Sequence, residues 1–211
     1  MIKQIAIFGA SGRTGRILTG LLLEKGYRVN ALVRNPLKFS IEHPNLFVIK
    51  GNVNQKEAIE QAIERSEVVV SVLGHVKGSQ PLFQTKAVDN IIEVMKARNI
   101  KRFVVLTGSG VKMPEDKWSL ANSMLTFIIK SIAPARFNDG VEQCKRILAT
   151  DLDYTIVRAP LLTMQKPKGV YKTGYLKLGF FSHISRYDVA GFICNVIENQ
   201  IFIKDVPQIS Y

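Results

Sequence analysis

Apolar and polar positions follow two rhythms along this chain. Short, nearly continuous apolar runs rich in β-branched residues occupy positions 2–8, 27–34, 47–49, 68–73, 103–106 and 152–157, and between them apolar residues recur every three or four positions. Runs that are apolar on both faces mark buried parallel strands, and the periodic segments joining them mark crossover helices. Helices are predicted up to Lys25, over 55–65 with Ala58, Ile59, Ala62 and Ile63 on one face, and over 85–98 with Val88, Ile91, Ile92 and Met95 on another. Further helices are predicted over 120–132, 139–149 and 188–198, the last behind an N-cap at Ser185 with Asp188 in its first turn. A small hairpin is expected from 169–171 to 175–177, and an edge strand at Phe202-Ile203. The alternation predicts an α/β fold with a doubly wound parallel sheet and helices on both faces.

Between the first strand and the first helix stands Gly9-Ala10-Ser11-Gly12-Arg13-Thr14-Gly15. In that context Gly9 permits a tight turn, Gly12 lets backbone approach a pyrophosphate, and Gly15 lets the helix pack on the strand. The helix start then offers free N–H groups and a positive dipole end to phosphate. The fold is therefore expected to be Rossmann-type, with Ser11, Arg13 and Thr14 in the phosphate turn. Where an NAD site carries an acid about 20 residues on, this chain has Arg34 at the end of its second strand. A cation suits a 2′-phosphate, and Arg13 is placed to bring a second guanidinium to the same group, so NADP(H) is the expected cofactor. Asn35-Pro36 turns the chain away from the sheet.

Ligands of open α/β sheets bind at the carboxyl ends of the strands, so the loops at 9–15, 34–35, 74–75 and 107–110 are expected to converge on one crevice. Residues 111–139 and 161–185 read as substrate-covering insertions in a single domain spanning 1–211. Lys112, Met113 and Trp118 are candidates to line an acceptor pocket, Trp118 as a stacking face.

Composition narrows the function classes. With 211 residues, 46% of them hydrophobic, the chain can bury a full core. No apolar run is long enough for a membrane helix, and the N-terminus runs into a strand without a leader pattern, so no membrane partner and a cytoplasmic location are expected. Cys144 and Cys194, far apart in apolar helical contexts, are expected to be buried free thiols, and His43, His75 and His183 show no ligand spacing, so no metal is expected. The net charge of +12 is spread over the chain without a basic run or an aromatic-interleaved stripe. It is read as a surface attractive to a polyanionic cofactor, with no nucleic-acid partner. A monomer or small homo-oligomer is expected.

Together these motifs resemble the atypical short-chain dehydrogenase/reductase family of NAD(P)H-binding, NmrA-like proteins, of the biliverdin reductase B or flavin reductase type. Its marks are the glycine turn, Ala31-Leu32-Val33-Arg34-Asn35-Pro36, Val72-Leu73-Gly74, Phe103-Val104-Val105-Leu106-Thr107, residues 152–160 and Ile184-Ser185-Arg186-Tyr187-Asp188-Val189-Ala190. The resemblance implies that Arg34 holds the 2′-phosphate and that Gly51-Asn52-Val53 meets the adenine. It also implies that Leu73 and Gly74 border the cofactor and that residues after the fifth strand lie beside the nicotinamide. Asn52 replaces the Asp usual in relatives, and an amide still donates and accepts. The Tyr-x-x-x-Lys pair of typical members is absent, its places falling near Arg136 and Gly140, and a histidine found after the sixth strand in the biliverdin reductase type corresponds to about Leu161. These departures speak against ketone and bilin reduction.

A nicotinamide carries the hydride itself, and a flavin or quinone can take its proton from water. The expected activity is NADPH-dependent reduction of such a planar, conjugated acceptor, with Thr107 and Ser109 as the hydroxyls assigned to the catalytic site. The alternative is a non-catalytic NADP(H) sensor that acts through a protein partner. A closed apolar pocket formed by 111–139 favours the first, and an exposed apolar patch there favours the second.

Overall fold

A computed structural model describes residues 4–76, 78–117 and 120–211. In chain order the elements are β1 (Gln4–Phe8), α1 (Arg13–Glu24), β2 (Arg28–Val33), β3 (Leu46–Lys50), α2 (Lys56–Ile63), β4 (Val68–Ser71), α3 (Phe83–Ala97), β5 (Arg102–Gly108) and α4 (Leu120–Ile132). They continue with α5 (Pro134–Leu148), β6 (Asp153–Ala159), β7 (Leu161–Thr163), β8 (Lys172–Gly174), β9 (His183–Ser185), α6 (Arg186–Glu198) and β10 (Gln208–Ser210). The main sheet has eight strands in the order β3-β2-β1-β4-β5-β6-β10-β8. Among the described residues only the edge strand β8 is antiparallel to its neighbour, and β7 and β9 form a separate parallel pair. The doubly wound Rossmann-type sheet is as the sequence predicts.

The two-residue period of the strands builds two cores. Ile5 and Ile7 of β1 pack with Leu18 and Leu22 of α1 and with Val189 and Ile193 of α6. Ala6 and Phe8, on the opposite side, pack with Ile59 and Ile63 of α2, Ile91 and Met95 of α3, and Ile147 of α5. Because both faces are covered, the central strands are apolar throughout, and each fully buried Ile or Phe stabilises the fold by roughly 1.5–3 kcal/mol.

Three local expectations are corrected. The predicted hairpin near 169–177 is instead one edge strand, β8, paired with β10; Gly174 at φ +104° ends it. Phe202-Ile203 is not a strand, since Phe202 and Lys204 take left-handed φ values of +56° and +55°, and the closing strand is β10, inserted between β6 and β8. The helix expected from Asp139 begins at Pro134, whose fixed φ suits the first helical turn, so residues 134–139 form the start of α5. Trp118 lies outside the described residues. Cys144 and Cys194 are buried and unpaired, as expected. No helix among the described residues is long and apolar enough to cross a membrane, and no metal-type cluster occurs among them.

Candidate active site

From β1 the chain runs outward through β2 and β3 on one side, and it returns through β4, β5 and β6 on the other. The carboxyl ends of β1 and β4 therefore flank the point where winding reverses, which is where such sheets leave a crevice. Gly9 follows β1 at φ +89°, and a Cβ there would lie 2.9 Å from the backbone N of Leu73. A Cβ on Gly15 would lie 2.1 Å from the carbonyl oxygen of Gly9, so only glycine lets α1 seat this deeply. Gly12 caps α1 with no side-chain bond, and the first turn holds no acid. Its free N–H groups and dipole are left for an anionic ligand, so the turn fits a dinucleotide pyrophosphate.

Arg16, which the motif did not single out, braces this turn. Its Nε donates to the Ser11 carbonyl at 3.1 Å, its Nη2 donates to the Lys38 carbonyl, and its guanidinium lies 5.5 Å from the centroid of the Phe39 ring. It thereby ties the glycine turn to the segment after β2 that carries Arg34.

A cleft of about 420 Å³ opens along this crevice. Gly9, Ser11, Gly12, Arg34, Asn52, Val53, Leu73 and Gly74 line it together with Phe83 of α3. At Arg34 it extends into a further 180 Å³ bordered by Lys86 of α3, and neither space has an acidic residue among its lining residues. Lys86 has no mark in the sequence, because a lysine on an amphipathic helix carries no signal until packing brings it to the cleft. Asn52 accepts through Oδ1 from the Asn54 N–H at 2.8 Å, which commits its amide oxygen to the loop and leaves the Nδ2 donors. Asn90 of α3 donates to the Val53 carbonyl at 2.7 Å and fixes the same loop.

Past Gly12, Leu73 and Gly74 the cleft continues into a second lobe of about 350 Å³ at the ends of β5 and β6. Arg13, Thr14, His75, Thr107, Leu162 and Arg186 line it, again without an acid. Gly15 lies beneath the turn, and Ser109 is buried, its N–H donating to the Ala159 carbonyl at 2.8 Å, away from the lining of either lobe. Lys112 and Met113 are also absent from these walls; Lys112 donates to Ser123 of α4 at 3.2 Å, and Met113 packs on the core.

Arg13 and Arg34, expected to share a phosphate, line different lobes. Arg13 is the first residue of α1, which packs against α6, and it stands near Arg186, the first residue of that helix. Burial, and then the charge of Arg13, holds the Arg186 guanidinium below its ordinary pKa.

Two buried charges complete the surroundings. Arg158 of β6 is fully buried and bidentate to Asp116, each Nη 2.6 Å from a carboxylate oxygen, with Nη1 also 2.8 Å from the Val111 carbonyl. Asp139 of α5 is fully buried and accepts from the Gln84 and Thr85 N–H groups, each at 2.8 Å, and from the Thr85 hydroxyl at 2.6 Å. It thus caps α3, and Gln84 Nε2 donates to the Leu73 carbonyl at 2.7 Å, carrying the link to the cleft wall.

The family model for NAD(P)H-binding proteins matches residues 9–200. The chain belongs to this family, and NAD(P)H is its cofactor. A probable pinoresinol-lariciresinol reductase from Arabidopsis thaliana is 29% identical over 107 residues, which span 48% of this chain but only 33% of that protein. A short-chain dehydrogenase/reductase from Veillonella parvula, solved in complex with NADP, superposes with a TM-score of 0.84 at 21% identity, covering 100% of this chain and 95% of the other. An anaerobillin reductase from Escherichia coli O157:H7 gives a TM-score of 0.82 at 17% identity, covering 98% and 96%. At these identities the superpositions establish the fold.

Proposed function

We propose that the protein is an NADPH-dependent reductase that transfers hydride to a planar, conjugated acceptor such as a flavin or quinone. The observation that carries this reading is the continuity of the cleft. A groove with a cationic end at Arg34 and Lys86 leads over the glycine turn into a lobe of about 350 Å³ beside Thr107. In this reading Arg34 and Lys86 hold the 2′-phosphate, Asn52 and Val53 border the adenine, and the turn from Gly9 to Gly15 holds the pyrophosphate. Leu73, Gly74 and Thr107 flank the nicotinamide. The bound nicotinamide supplies the hydride, and the protein's part is to orient it and exclude water.

The test is NADPH oxidation, followed by its absorbance, against a panel of flavins and quinones with NADH as control. Turnover with NADPH preferred supports the reading. A second reading rests on α4, where Met124, Phe127, Ile128 and Ile132 are exposed. An apolar helix face of this kind suits a protein partner, as a non-catalytic NADP(H) sensor requires. Tight NADPH binding with no acceptor reduced by the wild type favours that second reading.

A further inference from the structure

His75 and Asp139 have no part in holding the dinucleotide as assigned above, yet they meet at the wall of the acceptor lobe. The His75 side chain is 9% exposed, and its Nε2 lies 2.7 Å from Oδ2 of the fully buried Asp139. That nitrogen is itself buried and makes no aligned hydrogen bond. The carboxylate is fixed independently by the three donors of Gln84 and Thr85, and the ring sits edge-on to Phe83 with centroids 6.4 Å apart. The imidazole is thus held between a rigid carboxylate and the lobe where an acceptor would sit.

Reduction of a carbonyl-type acceptor needs a proton as well as a hydride. The Tyr-Lys pair that serves typical relatives is missing, and Gly140 stands near the place of its lysine. The other titratable groups lining the lobe are Arg13 from α1 and Arg186 from α6, neither of which gives up a proton readily. We infer that His75 is the acid that protonates the acceptor's oxygen, with Asp139 as its positioning residue. This rests on the reductase reading above.

A carboxylate this close to one ring nitrogen orients an imidazole through its charge. With Nε2 turned to Asp139, proton delivery falls to Nδ1. The balance is NADPH + acceptor + H⁺ giving NADP⁺ + reduced acceptor: hydride from the cofactor forms the new bond, the Nδ1 proton goes to the oxygen that would otherwise be left as an anion, and water returns a proton to the ring.

Two acceptor classes should differ in their dependence on His75. The oxyanion left on a hydride-reduced quinone is more basic than that of a reduced flavin, so its formation gains more from a positioned acid than from water alone, whereas a flavin takes hydride at a ring nitrogen and leaves readily as an anion. His75→Gln, which keeps a donor toward Asp139, should lower kcat for a quinone about 100-fold at unchanged NADPH affinity, with a far smaller loss for a flavin. In the wild type the quinone rate should fall as pH rises through the titration of the imidazole, and this limb and the solvent deuterium effect should be absent in His75→Gln. Thermal melting checks that the variant folds, and His75→Asn serves if it does not.

A readout free of cofactor is the proton NMR titration of the imidazoles. The His75 signal should change its titration in Asp139→Asn while those of His43 and His183 stay in place. Wild-type quinone turnover and an intact pH limb in His75→Gln would overturn the inference and leave the reductase reading standing. A wild type that reduces no acceptor would remove both. An unmoved His75 titration in a folded Asp139→Asn would remove Asp139's positioning role.

Discussion

Arg34 stands at the open end of the cleft with no acid among the residues lining that space. A guanidinium there discriminates between the two cofactors only through the 2′-phosphate, and a charge-assisted bond of this kind is worth about 1.5–3 kcal/mol. Arg34→Ala should therefore weaken NADPH binding about 10- to 100-fold while leaving NADH nearly unchanged, measured by titration calorimetry with both. Equal weakening would place the 2′-phosphate elsewhere. Gly12 tests the other contact. A Cβ there would already lie 3.2 Å from the Gly9 carbonyl oxygen, so a branched side chain must grow toward the space the pyrophosphate needs. Gly12→Val should abolish measurable cofactor binding while circular dichroism remains that of the wild type. Glycines at motif spacing were readable because each is required by backbone a few residues away. Arg13 lines the other lobe, near Arg186 at the start of α6, a neighbour that no local pattern around the glycine turn announces.

Among the elements, β6 does more than extend the sheet. Its Arg158 holds the segment after β5 through Asp116 and the Val111 carbonyl, so the start of the region between β5 and α5 is anchored to the core. Removing one partner of a buried pair leaves the other charge uncompensated, and this costs about 3–5 kcal/mol. Asp116→Ala should lose stability of that order in denaturant unfolding, whereas Arg158→Met, which removes the buried charge itself, should lose less. If the two variants unfold alike, the pair is not the anchor. The apolar run of β6 is legible in the sequence, but Arg158 stands there only within a family motif, since nothing local says which carboxylate a buried arginine will meet. The same limit explains β8 and β10: three-residue strands carry too little pattern, and their pairing is a contact between distant segments.

Over the whole molecule, burial governs the alkaline limit of stability. Cys144 and Cys194 are both pushed up to about 12 by burial, from an ordinary 9.0. In that window the unfolded thiols ionise while the folded ones keep their protons, so the folded state binds more protons and loses stability as pH rises from about 9 to about 12. Tyr175, raised by burial and by Asp205, acts in the same direction. Denaturant unfolding across this range should show the decline, and replacing both cysteines by alanine should flatten it. A decline unaltered by the replacement would assign it to other groups.

What the sequence determined by itself is what local chemistry dictates. Apolar runs on both faces specify buried parallel strands, the period of 3.6 specifies the helices that cover them, and Gly9, Gly12 and Gly15 specify a phosphate turn. These follow from backbone sterics and hydrophobic patterning within one or two elements. Only the tertiary structure decided that Arg13 meets Arg186, that Lys86 joins Arg34, that Arg158 clamps Asp116, and that Asp139 lies behind His75. Each joins side chains from elements that come together only once the sheet has wound, and a polar side chain's partner is set by that packing.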